Sequence, residues 1–162
     1  MLKYTNFYNP KAAEPLHLSY EVRERGWGHI RLEQGQLSWE SDTSVIMQDV
    51  LGNLVRGALY LVGNGGESFT TRIDPEGEVY ELTATIDSVK VVDVLNGDTK
   101  FRAITPWHDF VGNVVETAST IFEEHGADGY KSIWGDRFPY EELKILETNY
   151  KRLITIEHKA VE

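Results

Sequence analysis

Five histidines and 26 acidic residues, with no cysteine, supply the groups in this chain that could hold a metal or move protons. A zinc centre needs three or four ligands at close spacing. None of His17, His29, His108, His125 and His158 forms a His-Glu-x-x-His or other close metal-ligand pair. His17 and His29 fall on the polar sides of two adjacent predicted strands, so they could approach each other, but no third ligand is evident. They read as surface strand residues. Trp107-His108-Asp109 opens a predicted helix, where Asp109 favours the positive end of the dipole. A His-Asp pair with no placed serine or cysteine is not a triad.

Gly63-Asn64-Gly65-Gly66 has the composition of a phosphate loop but the wrong polarity. A phosphate cradle follows a strand and opens a helix, whereas this run follows a helix and precedes a strand. It reads as a helix C-cap. The carboxylates Asp74, Glu76, Glu78 and Glu81 surround a predicted hairpin tip. They lack the regular spacing and closing bidentate Glu of a calcium loop. They read as a solvated acidic turn and as the first candidate contact patch for a basic partner. Tyr130, Trp134, Arg137 and Phe138 lie in a polar connection rich in rings. Either the rings pin this loop over the core, or they form an interaction surface, since Trp, Tyr and Arg are enriched at hot spots. No catalytic, cofactor-binding or metal residue is assigned, and no cofactor is expected.

The elements that must carry these groups follow from periodicity. Leu16, Leu18, Tyr20 and Val22 alternate with polar residues, as do Ile30 and Leu32, and Gly35 reverses the chain into Leu37–Glu40. Three short antiparallel strands are expected over 16–40. Asp42 or Ser44 then caps a helix with Asp49 in its first turns and Val50, Leu51, Leu54, Val55, Ala58, Leu59 and Val62 on one face. Gly52 and Gly57 inside it suggest close approach to a sheet. Residues 67–105 return to strand: a Pro75–Gly77 turn, a run over 79–86, a valine-rich run over 89–95, and an Asn96-Gly97 two-residue hairpin into a last strand. Thr105 and Pro106 open a second helix that Gly126 closes, with 127–138 as a loop. A third helix starts near Pro139.

The order βββ-α-ββββ-α-α predicts an α+β domain, with a largely antiparallel sheet of six to seven strands and two to three helices on one face. One domain is expected over 1–162, its first 14 and last five residues loosely ordered. No signal peptide or membrane span is evident, so a cytoplasmic location is expected.

Charge bears on partners. The chain is net −10, but residues 1–41 balance, while 42–100 hold ten acidic against four basic residues. Such a surface repels phosphate backbones, so no direct nucleic-acid binding is expected, nor a membrane. A cationic protein partner is favoured, because complementary fields raise its association rate. Acidity that serves solubility alone is the plainer reading of the same charge.

Three blocks carry a resemblance: Asp49-Val-Leu-Gly-Asn-Leu-Val-Arg-Gly-Ala-Leu59, Pro75-Glu-Gly-Glu-Val-Tyr-Glu-Leu82 and Gly129-Tyr-Lys-Ser-Ile-Trp-Gly-Asp-Arg-Phe-Pro-Tyr-Glu-Glu-Leu143. In that order they resemble a family of small acidic bacterial cytoplasmic proteins, some similar to immunity partners of polymorphic or contact-dependent toxins. The resemblance implies a non-enzymatic binding module that occludes a cationic toxin domain, and it carries over no functional residue. Two other readings stand beside it. One is an enzyme or small-ligand protein with a site between sheet and helices built on His17, His29 or Asp109. The other is a self-associating structural module, monomer or homodimer.

Overall fold

The structure, a computed structural model, describes residues 14–63 and 66–161, with side chains to residue 156. The expected loose ends at 1–13 and 162 lie outside the described residues. All seven expected strands and three helices are present in the expected order. The strands divide into two antiparallel meanders. The first is β1 (His17–Val22), β2 (Trp27–Gln34) and β3 (Leu37–Ser44); the second is β4 (Ser68–Ile73), β5 (Tyr80–Thr85), β6 (Ser88–Asp93) and β7 (Thr99–Ile104). Gln34 bridges the two, its Nε2 donating to the carbonyls of Ile104 (2.8 Å) and Glu14 (3.1 Å).

β3 runs to Ser44, past the expected stop at Glu40. Alternation persists there in polar residues: Thr43 is buried, its hydroxyl paired with Tyr20 OH at 2.8 Å, while Asp42 faces solvent. Helix α1 (Val50–Gly63) therefore begins later than expected, and its cap is Asp49 rather than Asp42 or Ser44. Asp49 Oδ1 accepts the Gly52 backbone N–H (3.2 Å), satisfying one of the open donors of the first turn. Gly57 makes the expected close approach, since a Cβ there would sit 2.3 Å from the Phe69 ring on β4. Gly52 instead packs on its own cap, with a Cβ 2.1 Å from Asp49. The helix ends at Gly63 as expected, and Asn64 and Gly65 lie outside the described residues.

Helix α2 (Trp107–Trp134) corrects the expectation of a loop over 127–138. Gly126 does interrupt it, at φ 67° and ψ 172°, a conformation that only glycine adopts at little cost. The chain then re-enters the helix for two turns and stops at Gly135, whose N–H reaches Lys131 O at 2.8 Å. Pro106 sits one position earlier than expected, as the N-cap rather than the first helical residue. The Asn96-Gly97 signal marks a longer connection, Val94–Asp98, wound around Asp93. That carboxylate accepts the Leu95 and Asn96 N–H groups (3.0 and 3.2 Å) and the Asn96 amide (2.9 Å). Helix α3 (Tyr140–Val161) starts where Pro139 predicts and continues past residue 158, where fraying is expected.

α2 lies along the edge strand β1 and replaces the missing neighbour strand. Asn113 Oδ1 accepts Leu18 N–H (3.0 Å), Asn113 Nδ2 donates to Leu16 O (2.8 Å), and Thr117 donates to Leu18 O (3.2 Å). Covering the edge in this way blocks pairing with another chain. One contiguous apolar core joins both sheets to the helices, from Leu18, Ile30 and Leu32 through Leu54 and Leu82 to Phe110 and Leu146.

Candidate interaction surface

The ring-rich segment resolves first. Tyr130 and Trp134 are fully buried on α2 and Phe138 is 2% exposed, so the three rings are core and offer no face to a partner. Tyr130 meets Phe138 edge-on at 5.2 Å, and Trp134 meets Tyr20 edge-on at 6.0 Å. The Trp134 indole donates to Asp49 Oδ1 (3.3 Å), the same oxygen that caps α1. The reading in which these rings pin the segment down is the one the structure has. Burial, then the Asp49 charge, pushes the Tyr130 hydroxyl well above the usual phenol range. Arg137 is exposed and pairs with Glu142 at 3.3 Å.

Asp74 is also misjudged from sequence. It is 2% exposed and builds the β4–β5 turn from within: Oδ1 accepts the Glu76 N–H (2.9 Å) and Oδ2 the Arg72 guanidinium (3.1 Å). Turn chemistry of this kind is what a short carboxylate does best. Glu76, Glu78 and Glu81 are the exposed members of the group. Glu76 holds φ 66°, a left-handed conformation rare for a side-chain-bearing residue. Its carboxylate accepts the Ser44 hydroxyl (3.3 Å), tying the turn to the end of β3. Glu78 accepts the Tyr80 hydroxyl; that bond, then burial, pushes Tyr80 up to about 12. Glu81 stands on β5 opposite Arg72 and Val92.

The groups weighed for catalysis do not converge. His17 faces Glu33 on β2, whereas His29 faces Glu21 and Asp42, four residues away along β1. At about 3.3 Å per residue that is roughly 13 Å, so the two rings do not approach each other. His29 is held by Asp42 (Nδ1–Oδ1 2.8 Å) and Glu40 (3.5 Å). Asp109 sits at the start of α2 with Thr105 and His108, each 3.4 Å away. An apolar core lies between the sheets and helices, where the alternative enzyme reading put a site. A polar groove of about 650 Å³ does run between β1 and α2, past His17, Arg31, Glu33, Glu116, Glu124 and His125. No metal-binding cluster occurs among the described residues.

Sequence reasoning missed Asn113 and Thr117, which read as generic polar helix residues. Their only signal is the four-residue spacing that puts both on one stripe. Among the described residues no helix is long and apolar enough to cross a membrane. No protein-family model matches the chain, and neither the curated proteins nor the solved structures contain a significant match.

Proposed function

We propose that this chain is a non-enzymatic protein-binding module, an immunity-type inhibitor that occludes a cationic toxin domain in the bacterial cytoplasm. The observation that carries the reading is the β4–β5 hairpin with Glu76 and Glu78 in its turn and Glu81 on β5, three exposed carboxylates in the most acidic stretch of a chain of net charge −10. Fields of this sign speed encounter with a basic partner and suppress anionic ones. The side chains weighed for catalysis are scattered, which leaves the enzyme reading without support from geometry.

The proposal expects a cationic toxin domain to be encoded immediately upstream of this chain, and the test is to co-express the two. Restored growth, and a stoichiometric complex that weakens as salt is raised, support the proposal. A toxin that kills equally with and without the chain, and no complex even at low salt, reject it. Light scattering on the chain alone addresses self-association: a stable dimer with no affinity for the toxin points to that reading instead.

A further inference from the structure

The hairpin end that carries the acidic turn also gathers exposed apolar side chains from two other connections. The Ser44–Glu76 bond sets the β3–α1 connection against the turn, and there Ile46 is 81% exposed with Met47 beside it. On the other flank the Val94 N–H donates to Val79 O (2.9 Å), which brings in the β6–β7 connection with Leu95 at 66% and Val94 also exposed. Glu76 and Glu78 belong to the turn that both bonds reach, Glu81 follows on β5, and Asp98 closes the β6–β7 connection. Arg72, a cation of the same hairpin, is already held by the buried Asp74.

Large apolar side chains at loop tips cost solvation unless something covers them. An apolar centre within a charged rim is the anatomy of a protein interface, in which the centre carries affinity and the rim sets the partner. The left-handed backbone at Glu76 adds to this, because such strain persists where the surroundings over-determine it, and such residues cluster at functional sites.

We propose that Ile46, Met47, Val94 and Leu95, rimmed by Glu76, Glu78, Glu81 and Asp98, form the docking surface. Its occupant is a protein segment presenting an apolar side chain flanked by arginine or lysine. Charge selects this occupant. A second copy of a chain of net charge −10 brings like charge to the same rim, and an anionic lipid surface is repelled by it. The inference rests on the protein-binding reading above and adds to it the surface and the chemistry of the partner.

Hydrogen–deuterium exchange of the full chain, with and without the cationic toxin domain of that co-expression test, probes the surface without any substitution. Protection is expected over 45–48, 76–81 and 94–98. Two variant pairs sharpen it, each first checked for an unchanged unfolding transition. Ile46→Ser with Leu95→Ser is expected to weaken binding about tenfold or more. Glu67→Gln with Asp87→Asn, at the opposite end of β4 and β5, is expected to leave it unchanged. A complex whose protection lies elsewhere, with wild-type affinity in the first pair, overturns the surface and leaves the protein-binding reading intact. Absence of any complex overturns both.

Discussion

Asp49 serves three partners on two helices through one carboxylate, and replacing it with alanine is expected to cost about 2–4 kcal/mol of stability. Loss of the α1 cap, seen at Gly52 N–H, contributes about 1 kcal/mol. The Trp134 indole N–H, on a fully buried ring, is left without its acceptor, which costs about 1–3 kcal/mol. The Arg56 pair at 3.4 Å involves a half-exposed guanidinium and contributes less than about 1 kcal/mol. Asp49→Asn keeps an oxygen for cap and indole, so its cost is expected to stay within about 1 kcal/mol. Urea unfolding at neutral pH measures both, with the slope checked for constancy. A cycle of Asp49→Ala with Trp134→Phe isolates the indole bond, with a coupling of about 1 kcal/mol or more expected. Equal losses in Asp49→Ala and Asn, or zero coupling in the cycle, refute the three-way role.

Asn113→Ala removes the clamp on β1 and is expected to cost about 1–3 kcal/mol, to speed amide exchange at Leu18, and to promote aggregation through the opened edge. Tyr130→Phe is expected to be neutral or stabilising in thermal unfolding, because the Tyr130 hydroxyl is buried and finds no partner among the described residues. Tyr20→Phe breaks the bond to Thr43 and is expected to cost about 1 kcal/mol. The Asn96 amide, with the Leu95 and Asn96 N–H groups, holds Asp93 below the usual carboxylate range. A depressed folded value stabilises above the unfolded pKa of about 3.9 and is lost as pH falls through the folded value. Asp93→Asn is therefore expected to flatten the acid limb of the stability curve below about pH 4. Burial raises Tyr20 and Tyr130, so the stability they confer is present below the unfolded value of about 10 and fades above it. Absorbance titration is expected to show neither ionising before the chain unfolds.

The strands with clean alternation, His17–Val22 and Tyr80–Thr85, were legible because each buries one apolar face. The second half of β3 was not, because its inward residues, Thr43 and Ser44, are polar and find their partners in Tyr20 and Glu76, 23 and 32 residues away. Gly126 read as a stop because local chemistry cannot distinguish a break that the packed Tyr130 and Trp134 force back into helix. Asp49 read as a first-turn acid, since the indole it accepts lies 85 residues on. The acidic turn was visible through its Asp-Pro-Glu-Gly signature, although not that Asp74 would be its buried brace. Its apolar neighbours Ile46 and Leu95 come from separate connections, joined to it only by long-range hydrogen bonds.

The association rate with the toxin domain, followed by stopped flow as ionic strength is raised, tests the central claim most directly. The account predicts a rate that falls steeply with salt, and a much flatter dependence once Glu76, Glu78 and Glu81 are replaced by glutamine. A rate indifferent to salt, or unchanged by the three replacements, contradicts it.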